Sequence, residues 1–408
     1  MEINLLYKGC VISGNLGDDI LFDIFKELII IILKKKFNIK ENTIIINEKN
    51  KEINYKDYDI FVIGGGSLIH PLEITYTSFD YQYDKILFIN GTGITDCNEI
   101  KNKEDINLYN SDNLLFKHNF IEINFTNIHN YKKIYGGFRG ILEKNMYSTY
   151  FNDKNIDYIN DIGLLSSILY KNNNITINSF NRKIILINPI LISGLDCFKE
   201  ENIDLHTYNK YIDECLFEFS KYLIENNYFI YILDYCNNQN IYYYNQIINR
   251  LDEDNRKYIN YFESNNKMIN DILNIIKISH IMIGTRLHSN IISNSLLIPS
   301  LNICYGIKNI NYVITNNLEK YSLTTYKKDL NLNNLIQKFN DLELDYINVK
   351  NNIKIIIKNT YKNYYKNIKK MLNKILKKKN KNKEINYENI EINYEKNSSN
   401  GYINIKMY

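Results

Sequence analysis

Short apolar runs alternate with helical stretches along the chain, and this alternation limits its fold more than any other feature. In the first half, five runs are typical of buried strands: Glu2–Tyr7, Thr43–Ile46, Asp59–Ile63, Lys85–Ile89 and Phe120–Phe125. The series restarts with five further runs: Lys183–Asn188, Phe229–Leu233, Tyr258–Phe262, His280–Ile283 and Ser300–Cys304. Helical stretches such as Asp18–Lys36 and Thr207–Asn226 separate them. The pattern predicts two parallel sheets, each covered by helices.

The polar stretch Lys171–Asn181 is the natural boundary between the two series. We therefore expect a first Rossmann-like domain at 1–175, a second at 176–345, and a basic extension at 346–408. In such doubly wound domains, ligands bind outside the carboxyl ends of the strands. Two of them facing each other would leave a cleft between these ends.

The extension begins with an amphipathic helix over Ile353–Leu376, in which apolar residues recur at intervals of three and four. It is either a closing helix packed across both domains or a basic helix that contacts a membrane surface or a partner. From Lys377 onward no core is apparent, so we expect a disordered tail, although its alternating Ile and Tyr residues allow a hairpin.

Charge is unevenly distributed along the 408 residues. The net charge is +4, but the part from Lys350 onward carries about +11 and residues 1–349 about −7. An acidic body argues against nucleic-acid binding, which usually needs a basic face. The six cysteines form no CxxC pair, and the start lacks the basic and apolar regions of a signal peptide. The longest apolar run, Leu28–Leu33, is far shorter than the roughly 20 residues of a membrane span, so we expect a cytoplasmic protein.

Three glycine-marked loops follow predicted strands of the first half: Gly9–Asp19, Gly64–Ser67 and Gly91–Gly93. Glycines allow sharp turns, and a helix that begins in such a loop offers free N–H groups to an anion or a sugar hydroxyl. Helix capping by Asp18 or Asp19 is the alternative interpretation of the first loop. In these loops we expect substrate contacts from Asn15, Gly17, Asp18, Gly65, Gly66, Gly91, Thr92 and Gly93.

Arginine is rare, since 45 of the 50 basic residues are lysine. Arg139 lies in a glycine-flanked segment before a helix, and Arg286 lies where a strand passes into a helix. A planar guanidinium suits bidentate contacts to an anion. His288 follows Arg286 by two residues, so both can present one cationic, proton-donating surface; a buried structural histidine is the alternative. No two histidines have metal-ligand spacing, and we expect no bound metal.

Six segments follow one another in the order of a known family: GNLGDD (Gly14–Asp19), DIFVIGGGSLI (Asp59–Ile69), GTG (Gly91–Gly93), FRG (Phe138–Gly140), GTRLHS (Gly284–Ser289) and IPSLNICYGIK (Ile298–Lys308). Together these segments resemble the polysaccharide pyruvyl transferases. The similarity covers roughly residues 8–320 and no part of the extension. It departs from the family pattern at Asn160–Leu164, which leaves a role for Asp161 open, and at Leu297, where the family commonly has glycine.

The resemblance implies a GT-B-like pair of Rossmann domains. It also implies transfer of the pyruvyl group of phosphoenolpyruvate onto two hydroxyls of a sugar or glycan, with release of phosphate and without a further cofactor. Arg139, Arg286 and His288 match the residues that handle phosphoenolpyruvate. Ser289 and Lys308 would add substrate contacts, and Asp18 would meet the acceptor. The resemblance thus implies an acceptor on the first domain and phosphoenolpyruvate on the second. The alternatives are a nucleotide-sugar glycosyltransferase of similar architecture and an inactive glycan-binding protein.

Overall fold

The computed structural model describes most of both domains and parts of the extension. The described residues are 2–9, 15–37, 44–48, 55–69, 77, 79, 82–94, 119–151, 156–172, 181–189, 205–235, 240–263, 269–325, 329–379, 390–396 and 400–407. Side chains are described in all of these ranges except at some helix ends and in most of three peripheral strands. The predicted loop Gly9–Asp19 lies only partly within them, and its residues 10–14 are outside.

The strands form two sheets, one per domain. The first sheet contains β1 (Glu2–Lys8), β2 (Ile44–Glu48), β3 (Ile60–Ile63), β4 (Gly66–Ile69), β5 (Ile86–Ile94) and β6 (Ile134–Phe138). The second contains β7 (Lys183–Asn188), β8 (Tyr228–Leu233), β9 (Ile259–Phe262), β10 (Ile281–Gly284), β11 (Ser300–Cys304) and β12 (Ser322–Thr324). This arrangement confirms the expected pair of Rossmann-like, doubly wound domains of GT-B-like type.

Helices cover both faces of each sheet. They are α1 (Leu16–Phe37), α2 (Asn119–His129), α3 (Ile141–Phe151), α4 (Leu205–Glu225), α5 (Ile241–Ile248), α6 (Glu253–Arg256), α7 (Ile269–Ile278), α8 (Leu287–Ser295), α9 (Ile307–Thr315), α10 (Leu332–Leu344) and α11 (Tyr346–Lys379). Within the described ranges, none of these helices combines the length and the apolar character that a membrane crossing requires.

The second sheet is parallel throughout, in the order β12-β11-β10-β7-β8-β9. Read from β9, this is the order 3-2-1-4-5-6 of dinucleotide-binding domains. The chain changes direction between β7 and β10, so the loops after these strands diverge and leave a crevice at their carboxyl ends. Asn188 and Gly284, the last residues of the two strands, mark this crevice.

The extension completes the first sheet, which is the main departure from the sequence prediction. Strands β13 (Ile390–Lys396) and β14 (Asn400–Met407) form an antiparallel hairpin between β1 and β2. β14 pairs antiparallel with β1, and β13 pairs parallel with β2. The expectation of a disordered tail is therefore wrong for residues 390–396 and 400–407, where the alternative allowed by the alternating Ile and Tyr residues, a hairpin, is formed. β1 and β2 therefore run parallel to each other, as neighbouring strands of a Rossmann-like sheet do, although the hairpin separates them.

A second correction concerns Phe120–Phe125, which was expected to be a strand and lies in α2. Its buried residues Asn124, Phe125, Asn127 and Ile128 share one helical face. Six residues are too few for the spacing of the apolar positions to distinguish a strand from a helix. The strand that follows β5 in the chain is instead β6, which the sequence analysis did not predict because two of its five residues are glycine.

Helix α11 packs across both domains, as the first interpretation of the amphipathic segment predicted. Val349 and Ile353, in its first turns, belong to the core of the second domain. Tyr364, Ile368 and Met371 belong to the core that lies against α1 and the first sheet. The helix thus ties the two domains together before the chain enters the hairpin.

Because the hairpin buries apolar side chains in the core, truncation of one of them should destabilise the protein. Ile403 in β14 is 1% exposed, and Ile403→Ala should lower the free energy of unfolding by about 2 to 4 kcal/mol through lost burial and a residual cavity. Ile355→Ala, at a residue 58% exposed on α11, is the matched control and should change it by less than about 0.5 kcal/mol. Urea unfolding followed by circular dichroism measures both; equal effects would contradict the hairpin's place in the sheet.

Candidate functional site

The carboxyl ends of the two sheets face a cavity of about 140 Å³ between the domains. It lies where the loops after β1, β3 and β6 meet those after β8, β10 and β11. Its lining residues are Asn15, Asp18, Ser67, Leu68, Arg139, Tyr235, Arg286, Leu287, His288, Tyr305 and Lys308. Six of the predicted site residues are therefore brought together here from distant parts of the chain: Asn15, Asp18, Arg139, Arg286, His288 and Lys308.

His288 projects from the first turn of α8 in the second domain toward two carboxylates of the first. Its Nε2 lies 3.6 Å from Asp161 Oδ2, and its Nδ1 lies 3.6 Å from Asp18 Oδ1. The imidazole is nearly buried, and Gly17 is what allows it to come so close. A Cβ on Gly17 would lie 2.4 Å from His288 Nδ1. The histidine is thus held between two acidic groups rather than packed in an apolar core.

Charge fixes the protonation of this pair. Burial lowers the pKa of His288, but Asp161 and Asp18 outweigh it and raise the pKa above its ordinary 6.5. Burial raises the pKa of Asp161, but His288, Arg139 and the Gly163 N–H together hold it below its ordinary 3.8. The result is an imidazolium that stays charged at higher pH than a free histidine, facing a carboxylate that stays ionised.

Asp161 is the main functional residue that the sequence analysis missed. It caps the 3₁₀ helix Ile162–Leu169, where its Oδ1 accepts a hydrogen bond of 2.8 Å from the Gly163 N–H. Its other oxygen faces His288. A signal was present in the sequence, since aspartate followed two residues later by glycine, after an asparagine, is typical of a capped turn.

The turn before Asp161 is held in place by α11. Asn160 has a φ of 70°, a left-handed conformation that asparagine tolerates better than most residues. Tyr364 Oη donates to the Asn160 carbonyl at 3.1 Å, and Asn160 Nδ2 donates to Thr360 Oγ1 at 3.1 Å. Both α11 side chains are fully buried. The C-terminal helix, outside the region of family resemblance, therefore positions the carboxylate that faces His288.

Asn15 prepares the other carboxylate. Its Oδ1 accepts from the Gly17 N–H at 3.2 Å, and its Nδ2 donates to Asp18 Oδ2 at 2.7 Å. Asn15 thus takes the capping role at the start of α1 that had been considered for Asp18. Asp18 Oδ1 remains directed at His288 and the cavity.

Arg139 supplies a buried guanidinium from the first domain. It is 3% exposed; Nη1 donates to Ser67 Oγ at 3.2 Å and Nη2 to the Ile94 carbonyl at 3.4 Å. Its Nε has no hydrogen-bond partner among the described residues. The backbone N–H of Arg139 bonds to the Thr92 carbonyl at 2.8 Å, and a Cβ on Gly93 would lie 2.4 Å from Nη2. Thr92 and Gly93 therefore shape the seat of the arginine.

The second domain supplies two further cations. Arg286 occupies the N-cap position of α8, while Leu287, which follows it, is buried in an apolar cluster. Lys308 lies in the first turn of α9, with Nζ 5.0 Å from the centre of the Tyr305 ring. Arginines from two domains and one lysine thus surround a small cavity, which is the charge pattern of an anion site.

The remaining predicted residues are not among those that line the cavity, and their role as substrate contacts stays a prediction. The Gly65 N–H donates to Tyr7 Oη at 3.0 Å, and Ser289 Oγ donates to the Arg286 carbonyl at 2.7 Å. Gly66 and Gly91 have φ values of 92° and 65°, which favour glycine. Gly17, Thr92 and Gly93 give room to His288 and Arg139, as described above. Sequence reasoning did not single out Ser67, Leu68, Tyr235 or Tyr305, whose types carry no chemical signal of their own.

Within the described parts of the chain, no three His, Cys, Asp or Glu side chains are grouped as metal ligands would be.

The chain matches no protein-family model, and no curated protein matches it. Solved structures with a similar two-domain arrangement include Staphylococcus aureus MnaA with UDP, at 11% identity and a TM-score of 0.49, covering 88% of this chain and 82% of that chain. Neisseria meningitidis UDP-GlcNAc 2-epimerase bound to UDP-GlcNAc has 12% identity and a TM-score of 0.44, with coverages of 87% and 81%. Escherichia coli ADP-heptose heptosyltransferase II has 10% identity and a TM-score of 0.40, with coverages of 85% and 99%. Similarity at this level carries no conclusion about the reaction or the ligand of this chain.

Asp161→Asn should lower the pKa of His288, because the neutral amide no longer favours the imidazolium. An NMR titration of the His288 ring, assigned by its absence in His288→Gln, measures this. Asp157→Asn is the matched control, since that carboxylate is exposed and pairs with Lys144. An unchanged His288 pKa in Asp161→Asn would contradict the assigned pair.

The same pair predicts a pH window for stability. The His288 contribution is complete below pH 6.5 and is lost as the pH rises through its raised pKa. The Asp161 contribution is complete above pH 3.8 and is lost as the pH falls through its lowered pKa. The stabilisation should therefore be fully present between these two values. In His288→Gln the histidine contribution should be lost and the Asp161 contribution reduced, because Arg139 and the Gly163 N–H still act on that carboxylate. Urea unfolding of both proteins at a series of pH values measures this.

Proposed function

We propose that the chain is a sugar-modifying enzyme that transfers the pyruvyl group of phosphoenolpyruvate onto two hydroxyls of a sugar or glycan, releasing phosphate. One observation carries the proposal above all: a small inter-domain cavity in which two arginines and a lysine surround a histidine held between two carboxylates. The sequence resemblance to pyruvyl transferases supports the same reaction, although no family match accompanies it.

The cations suit a donor of this size and charge. Phosphoenolpyruvate carries its carboxylate and its phosphate on the same carbon atom, C2, so it needs cationic groups on more than one side. Arg139 approaches from the first domain, and Arg286 and Lys308 approach from the second. A cavity of about 140 Å³ is well below the roughly 300–1,000 Å³ of sites that hold larger ligands, which favours a small anion.

His288 is the candidate proton donor. Ketal formation converts the methylene of phosphoenolpyruvate into a methyl group, so C3 must receive a proton while positive charge develops at C2. An imidazolium kept charged by Asp161 and Asp18 is suited to this step. Arg139 and Arg286 would hold the carboxylate and the phosphate while the charge develops.

Asp18 is the candidate group on the acceptor side, because it lies at the start of α1 with one oxygen fixed by Asn15 and the other facing the cavity. The first sugar hydroxyl adds at C2, the C2–O bond to phosphate then breaks, and the second hydroxyl adds at the same carbon. Two hydroxyl protons are lost: one balances the proton added at C3, and the other leaves with phosphate. Asp18 could accept either hydroxyl proton in turn.

A nucleotide-sugar enzyme is the second candidate. It is favoured by the strand order of the second sheet, which binds nucleotides at its change of direction in other doubly wound domains. UDP, held by one of the solved structures above, is the nucleotide to test. The two candidates differ in the ligand at the second domain, so a binding experiment separates them.

Arg286→Ala should weaken phosphoenolpyruvate binding by about 10-fold to 100-fold, because a charge-assisted hydrogen bond is worth about 1.5–3 kcal/mol. Isothermal titration calorimetry with phosphoenolpyruvate, and separately with UDP, measures this. Arg250→Ala is the matched control, since Arg250 pairs with Glu214 at 2.8 Å on the surface. Binding of UDP without phosphoenolpyruvate would favour the second candidate, and sugar binding without turnover would indicate an inactive glycan-binding protein.

The rate of phosphate release with a panel of sugar acceptors should fall as the pH rises through the raised pKa of His288, since the proton donor is then lost. In Asp161→Asn this fall should begin at lower pH. His288→Ala should reduce the rate by about 100-fold or more. Full activity of His288→Ala would overturn the assignment of His288 as the proton donor. It would not affect the assignment of the cations to phosphoenolpyruvate binding.

A further inference from the structure

Helix α11 carries eleven lysines and no acidic residue over Tyr346–Lys379. The buried face of α11 packs against the cores of both domains, so the lysines lie on its outer face. Those from Lys354 onward are exposed. Helix packing explains the apolar side chains of α11 but not why every charge on its outer side is positive.

At the end of this helix lies a second concave site, which we call the lysine pocket. Its volume is about 340 Å³. Its lining residues are Asp59, Asp84, Lys85, Ile86, Lys133, Lys374, Ile375, Lys377, Lys378 and Lys379. Six lysines thus face two aspartates, and the pocket carries a clear excess of positive charge.

The lysine pocket is separate from the candidate active site. Asp59, Lys85 and Lys133 each come just before a strand, β3, β5 or β6. They therefore lie at the amino-terminal edge of the first sheet, whereas the cavity with His288 lies at its carboxyl edge. No step of the proposed reaction uses this edge.

Internal partners neutralise only part of the charge. Lys379 Nζ bonds to Asp59 Oδ2 at 2.5 Å, and Lys85 Nζ donates to the Lys56 carbonyl at 3.1 Å. Among the residues that the structure describes, Lys374, Lys377 and Lys378 have no carboxylate within 4.0 Å. The negative end of the α11 dipole attracts cations, but it amounts to about half a charge. Three closely spaced ammonium groups therefore repel one another in the free protein, and an anion would relieve this.

We propose that the lysine pocket binds a multiply charged phosphate group. Lysine is a compact point charge suited to phosphate, whereas arginine suits planar carboxylate contacts, and the pocket contains six lysines and no arginine. The group can belong to a soluble diphosphate or to the headgroup of an anionic lipid. None of the large exposed apolar side chains of the described residues lies near the end of α11, so binding is electrostatic and weakens with salt.

The test uses the full chain and two probes: inorganic pyrophosphate in calorimetry, and co-sedimentation with phosphatidylcholine vesicles with or without phosphatidic acid, whose phosphomonoester headgroup can carry two negative charges. We expect the triple variant Lys374→Gln, Lys377→Gln, Lys378→Gln to lose at least about 10-fold in affinity. The matched control Lys354→Gln, Lys358→Gln, Lys362→Gln removes the same charge from the same helix outside the pocket and should bind normally. Each variant must keep the unfolding midpoint of the parent protein.

The outcomes separate the possibilities. Pyrophosphate binding alone indicates a soluble ligand, and binding to phosphatidic acid vesicles indicates a lipid headgroup; either supports the proposal. Equal losses in the two triple variants, or no binding of either probe, would overturn it. Pyrophosphate binding that Arg286→Ala abolishes belongs to the inter-domain cavity and also overturns it. Phosphoenolpyruvate binding should be unchanged in both triple variants, so failure of this proposal is distinguishable from failure of the proposed function.

Discussion

The pairing of a buried carboxylate with a histidine from the other domain is the constraint on which the site depends. Asp161 is fully buried, and an ionised carboxylate without a partner there would be very costly. Arg139 and the Gly163 N–H compensate part of this charge within the first domain. The remaining partner, His288, belongs to the second domain, so its share is present only when the domains are together. The same contact helps to keep the histidine protonated, and it therefore couples the domain interface to the acid chemistry of the site.

The support for this pair comes from a part of the chain far away in sequence. Helix α11 holds the Asn160 turn with Tyr364 and Thr360 and packs in the cores of both domains. A helix that only covered apolar surface would not need these hydrogen bonds to the turn at Asn160. They indicate that α11 also holds the left-handed conformation of that residue. The left-handed Leu297, with a φ of 63°, shows a similar demand at the position where the family resemblance leads one to expect glycine.

The sequence alone allowed the two-sheet architecture, the cation set of Arg139, Arg286 and Lys308, and His288 to be predicted. Periodicity identifies buried strands, and rare arginines in a lysine-rich chain stand out without any structure. Asp161 could not be assigned because its role depends on a contact across the domain interface, which no local pattern reports. Phe120–Phe125 is too short for the spacing of its apolar residues to identify a helix. The place of the hairpin in the first sheet could not be predicted, because β14 pairs with β1 from almost the other end of the sequence.

The inserted hairpin has a consequence for the order in which the molecule is built. Among the described strands, β2 pairs only with β13, and the free side of β1 is covered only by β14. During synthesis both must wait until residues 390–407 leave the ribosome, by which time the whole second domain is available to fold. An uncovered strand edge is also a site for pairing with other chains. The domain that is synthesised first is therefore the last to be completed, and its exposed edge is a hazard of the nascent chain rather than of the finished protein.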